Sequence, residues 1–137
     1  MSVTKYDRSK VLLENAMHNL EKSKLGESVD DAHFDIACFN AQQALEFILK
    51  AVLLEYKVPY EREHDILYLS DLIMENTDFR FEKQTDMEVL ATTITSWEEH
   101  GRYNSGIRTK EQTVRRVLNI YRSIDAEFVK ILSQKKD

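Results

Sequence analysis

Glycine occurs three times and proline once in 137 residues, too little turn punctuation for a fold of many short strands, and this favours an all-α chain. Cysteine occurs only at Cys38, so no intrachain disulfide can form. The opening stretch "MSVTKYDRSKVLLENAM" lacks the basic leader and apolar run of an export signal. No uncharged run reaches the ~18 residues of a membrane span. These absences predict a soluble, cytoplasmic protein with no membrane partner. Gly101 and Gly106 stand alone, so there is no glycine-rich phosphate loop. The histidines at 18, 33, 64 and 100 have no second ligand at zinc spacing, and HExxH is missing. Neither a metal nor a cofactor is expected.

Charge is present but uneven. The net charge is -5; residues 1–100 carry 10 Lys and Arg against 20 Asp and Glu, whereas residues 101–137 carry 9 against 4. A basic coat for nucleic acid is excluded for the chain as a whole. The C-terminal third can nonetheless set Arg102, Arg108, Arg115, Arg116 and Arg122 beside a phosphate. The alternative is that these basic residues neutralise acidic neighbours and stay solvated.

A chain of this length buries roughly two-thirds of the surface its unfolded form exposes, enough for one core. Apolar residues recur every three or four positions with no repeat, low-complexity block or linker, so 1–137 reads as a single domain of five helices. The first is expected over about 5–25, with Val11, Leu12, Leu13, Ala16 and Leu20 inward and Gly26 at its C-terminal turn. Asp30 or Asp31 can cap the second, which runs to about Lys57 because Pro59 cannot extend it. A third begins near His64 and Asp65 and turns Ile66, Leu69, Leu72 and Ile73 to one side, until "NTDFRFEKQ" breaks the period. Thr85 with Glu88, and Thr109 with Gln112, fit capping boxes that open the fourth and fifth, the last running to about Leu132. Between them, "EEHGRYNSGIR" reads as an exposed loop. Glu98 and Glu99 sit badly at a helix C-terminus, so Arg102 or Arg108 is expected nearby.

The second helix is the most informative. At about 100° per residue, Ile36, Phe39, Ala44, Phe47, Ile48, Ala51, Val52 and Leu54 take more than half its circumference, as expected in the middle of a bundle. Asn40, Gln43 and Lys50 fall in one narrow arc with Gln42 and Glu46 beside it. Glu46 and Lys50, four apart in the favourable order, are explained as a helix pair worth ~0.3 kcal/mol. An amide stripe can also line a dimer cleft. So apolar a helix predicts a homodimer, whose two-fold interface would bury the excess. Cys38 falls on the apolar side and reads as a small core residue. Trp97 and Tyr121 read as core or interface.

The stretch "DIACFNAQQALEFILKAVL", followed after the proline loop by "HDILYLSDLI" and later by "GRYN", resembles the HEPN family of small prokaryotic helical domains. The resemblance extends over nearly the whole chain. It implies a four- to five-helix, up-and-down bundle that often dimerises, is frequently encoded beside a minimal nucleotidyltransferase, and works on or near RNA or nucleotides. Ribonuclease members of the family carry an Arg followed, after four to six residues, by a His. In that window Arg102 meets Ile107, Arg108 and Thr109, and Arg108 meets Thr113, Val114 and Arg115. Neither Thr nor Arg titrates near neutrality, so general acid–base cleavage of RNA is not expected, and no catalytic residue is assigned.

Three functions compete. The first is a non-catalytic binding module for a nucleotide, an RNA or a nucleotidyltransferase partner in a toxin–antitoxin-like pair. In it Arg102, Arg108 and Lys50 contact phosphate, Tyr103 stacks, Gln43 and Asn104 hydrogen-bond, and His64 lines the cleft. The second is a metal-independent endoribonuclease toxin with a displaced general base, and the third a purely structural homodimer. The missing His counts against the second, and the basic loop and tail favour the first over the third.

Overall fold

The computed structural model describes residues 4–25, 32–61, 65–99 and 111–134. Among them are five helices: α1 (Lys5–Leu25), α2 (Ala32–Glu55), α3 (Ile66–Asn76), α4 (Gln84–Glu99) and α5 (Glu111–Gln134). Long three- and four-residue apolar spacing makes each helix, and buried faces hold them together. On α5 the spacing is cleanest: Val114, Val117, Leu118, Ile120, Tyr121, Ile124 and Phe128 are buried along one side.

α2 is the axle of the bundle and packs on each of the other four helices. Leu45, Ile48, Leu49, Val52 and Leu53 are fully buried, each contributing about 1.5–3 kcal/mol relative to exposure. Its closest association is with α1, which small side chains permit: Ala37, Ala41, Ala44 and Ala51 on α2 and Ala16 on α1 are all buried. The two run antiparallel, since Lys5 lies over the Phe47 ring and His33 bonds Asn19. α5 returns along α1, with Tyr6 donating to Asp125 and Ser9 sharing a 2.8 Å hydrogen bond with Tyr121. By length and composition α2 is apolar enough to cross a membrane, but 72% of that window is buried inside the bundle.

The helix ends are set by identifiable chemistry. Thr4 caps α1, its hydroxyl accepting from the Asp7 N–H at 3.0 Å. α2 stops at Glu55 instead of near Lys57 because the chain turns there. Lys57 adopts a left-handed φ of 58°, its N–H bonds the Leu54 carbonyl, and the Val58 N–H bonds the Leu53 carbonyl at 2.9 Å. This is a Schellman closure with lysine where glycine is usual. Asp65 caps α3 as expected, accepting from the Leu67 and Tyr68 N–H groups at 2.9 and 3.4 Å. After α3 the Arg80 guanidinium donates to the carbonyls of Met74, Thr77 and Phe79, and Phe79 and Phe81 enter the core. The break in period at "NTDFRFEKQ" is therefore a tightly held connector.

Several expectations are corrected. Thr85 and Glu88 do not open α4, which begins one residue earlier, with the Met87 N–H already bonded to the Lys83 carbonyl. Two tertiary partners fix the start: the Lys83 N–H donates to the Ser123 hydroxyl and the Gln84 amide to that of Ser70, while Glu88, one turn on, also accepts from the amide. Val11 is 51% exposed, and Ile36, Phe39 and Leu54 are 44%, 41% and 52% exposed, so these four are not inward. The expected caps at Asp30, Asp31 and Thr109, the turn at Gly26 and the partners of Glu98 and Glu99 lie outside the described residues or side chains.

Candidate functional site

Two regions carry polar chemistry, at opposite ends of the molecule. The first is the C-terminal half of α2. Lys50 donates to Glu46 at 2.7 Å, and the two side chains are only 9% and 1% exposed. The Lys50 ammonium also lies 5.6 Å from the Phe47 ring and 5.8 Å from that of Tyr60. The Tyr60 hydroxyl is held above the usual tyrosine value, first by burial and then by the Glu46 charge. The pair is thus a buried charge cluster under two aromatic rings, not the exposed helix pair its spacing suggests. Sequence spacing could not reveal the lid, because Tyr60 arrives from beyond Pro59. Gln43, half-buried, makes no side-chain hydrogen bond among the described residues, and neither does Asn40.

The second region is where α4 hands over to α5. The connecting segment holds Arg102, Tyr103, Asn104 and Arg108, which, like His64, lie outside the described residues. What is described is its exit on α5. There Arg115 bonds Glu111 at 3.0 Å and Arg116 approaches Asp86 at 3.9 Å, every one of these side chains at least 39% exposed. Such exposed pairs are worth at most about 1 kcal/mol and exchange partners readily. Lys50 does not sit at this end. It stands level with the far end of α5, where Ala51 and Leu54 share a groove of about 630 Å³ with Phe128 and Leu132. From Glu111 to Phe128 the helix rises about 25 Å.

A second depression, of about 560 Å³, lies between Tyr56, Asp78, Arg80, Glu127 and Lys130. Its polar groups satisfy one another: Tyr56 donates to Asp78, Lys130 to Glu127, and Arg80 to backbone carbonyls. No group of three His, Cys, Asp or Glu placed to hold a metal ion occurs among the described residues. The Cys38 thiol is pushed well above its ordinary value, chiefly by burial and then by the Asp35 charge, which leaves it an inert core group.

A family model for the HEPN domain matches residues 9–132. The chain belongs to the HEPN family. No curated protein and no solved structure matches it. The HEPN stretch "ACFNAQQALEFILKAVL" is α2, and of its residues Ala37, Cys38, Ala41, Gln42, Ala44, Leu45, Glu46, Leu49 and Lys50 are buried. In this HEPN domain the most recognisable segment is therefore the one that makes the bundle; its polar members Gln42, Glu46 and Lys50 are interior groups, while Asn40 and Gln43 are half-buried.

Proposed function

We propose that this HEPN domain is a non-catalytic binding module whose ligand is anionic, a nucleotide or an RNA. In this reading it works beside a minimal nucleotidyltransferase in a toxin–antitoxin-like pair. The observation that supports this is the loosely held pair Arg115 and Arg116 at the start of α5, directly after a segment that adds Arg102 and Arg108. Arginines whose acidic partners are themselves exposed give up little when a phosphate replaces them. The nucleotidyltransferase rests on the habit of the family.

The test is fluorescence anisotropy with a labelled single-stranded RNA and with a labelled nucleotide. Arg102→Ala with Arg108→Ala is expected to weaken binding and to reduce the slope of log affinity against log salt by about one per lost phosphate contact. If those arginines serve only Glu98 and Glu99, the double variant lowers the melting temperature and leaves both affinity and slope unchanged. That result would end the ligand reading.

A further inference from the structure

We propose that Met17 is a site of reversible oxidation and that Arg122 reads its state. The Met17 thioether on α1 accepts a hydrogen bond from Arg122 Nη2 on α5 at 3.4 Å, and Arg122 Nη1 donates to Asn119 at 3.2 Å. Arg115 and Arg116 are paired with carboxylates, whereas Arg122 is held by these two neutral atoms. A thioether sulfur is a weak acceptor. A sulfoxide oxygen is a strong one, and toward a guanidinium it makes a charge-assisted bond. Oxidation of Met17 therefore turns a loose contact between α1 and α5 into a firm one.

The position is open to this chemistry. Met17 is 42% exposed, whereas Met87 is fully buried, Met74 is half-buried and the Cys38 thiol lies in the core. Hydrogen peroxide supplies the oxygen: a sulfur lone pair attacks, the O–O bond breaks, sulfur is oxidised by two electrons, and the second oxygen leaves as water. Methionine sulfoxide reductases reverse the step, two thiols giving up the electrons to become a disulfide while the oxygen departs as water. At a surface site the added dipole stays in contact with solvent, so the fold tolerates both states; the same change at Met87 would bury it unpaired. Arg122 stands on the exposed ridge of α5 with Asn119 and Arg115, three and seven residues back. The oxidisable sulfur thus touches the basic face proposed above for an anionic ligand, and its effect on binding rests on that reading. Once the sulfoxide holds Arg122, a phosphate must compete with a better acceptor for the same N–H groups.

Peptide mapping after brief treatment with dilute hydrogen peroxide is expected to find Met17 oxidised before Met74 and Met87. Thermal melts read the contact itself: oxidation is expected to lower the melting temperature of Arg122→Ala by about 2 °C more than that of wild type. Met17→Leu, close in volume, should melt at the same temperature before and after peroxide. In anisotropy titrations with single-stranded RNA, the oxidised wild type is expected to bind about fivefold more weakly, with the salt slope reduced by about one. Methionine sulfoxide reductases with a dithiol should restore both, and Met17→Leu should bind equally with and without peroxide. Oxidation of Met74 or Met87 ahead of Met17, or equal melting losses in wild type and Arg122→Ala, overturns the proposal. RNA affinity that oxidation leaves unchanged overturns the effect on binding. A chain that binds no RNA in either state ends the anionic reading and that effect with it, while the melting comparison still decides whether Arg122 holds the sulfoxide.

Discussion

Lys57 and Lys50 show how a single side chain can be ordinary in the sequence and consequential in the fold. Lys57 holds a left-handed φ of 58°, a region in which a Cβ is disfavoured and glycine is not. Lys57→Gly is therefore expected to raise stability by about 0.5–1 kcal/mol in denaturant titrations, the relief of strain exceeding the added freedom of the unfolded chain. Destabilisation would mean that the lysine makes a contact outweighing its backbone. Lys50 lies at the other extreme. Lys50→Ala removes the ammonium 2.7 Å from the buried Glu46 carboxylate and is expected to cost about 3–5 kcal/mol, whereas Glu46→Leu with Lys50→Met should lose less than the single variant. Chemical denaturation of the single and double variants checks this, and equal losses in all of them would show that the aromatic contacts, not the charges, set the energy.

Among the helices, legibility followed the kind of interaction. The apolar period of α1, α2, α3 and α5 marked them in the sequence because burial along one face is a local, repeating pattern. The cap at Asp65 was legible for the same reason, an acceptor beside the donors it satisfies. The start of α4 was not, since Ser123 and Ser70, distant in sequence, decide it. Nor was the seam between α1 and α5, where Ser9 and Tyr121 meet across the whole chain. Apolar character alone also misplaced Phe39 and Leu54, because periodicity tells which residues share a face but not which face finds a neighbour. Of the candidate site, Gln43 and Lys50 can be located. Gln43 is half-buried, whereas Lys50 is covered by Tyr60, which comes from another segment.

The α1–α5 seam has a consequence in pH. The Tyr121 hydroxyl is pushed up to about 12, chiefly by burial, with the Ser9 hydrogen bond opposing and the Asp125 charge adding to it. Burial and Asp125 push Tyr6 up as well. A folded-state value above the unfolded one, about 10, means that folding favours the protonated phenol. That stability is fully present below pH ~10 and lost as pH rises toward about 12. Thermal melts are expected to decline above pH ~10, with Tyr121→Phe flattening the decline by on the order of 2 kcal/mol. A decline that Tyr121→Phe leaves unchanged would place the alkaline weakness elsewhere.

At the scale of the molecule, the groups among the described residues whose acidity the fold alters bear on whether the chain is an enzyme. Tyr6, Tyr56, Tyr60, Tyr121 and Cys38 are all raised, and burial is the first cause each time. Their ordinary values already lie above neutrality, so each shift moves the group away from the pH at which a general base or acid works best. Tuning of an acid–base pair runs the other way, with burial and neighbouring charge bringing a value toward 7. Combined with the missing His after Arg102 and Arg108, this predicts that the purified chain does not cleave single-stranded RNA. The measurement is a labelled RNA incubated with the protein in the presence of a chelator, beside an anisotropy titration of the same RNA. Intact RNA is the expected outcome, and bound but intact RNA would complete the case for a module that holds its ligand for another protein to act upon. Cleavage that disappears in Arg102→Ala would show instead that a base outside the expected window serves the reaction, with His100 the first residue to replace.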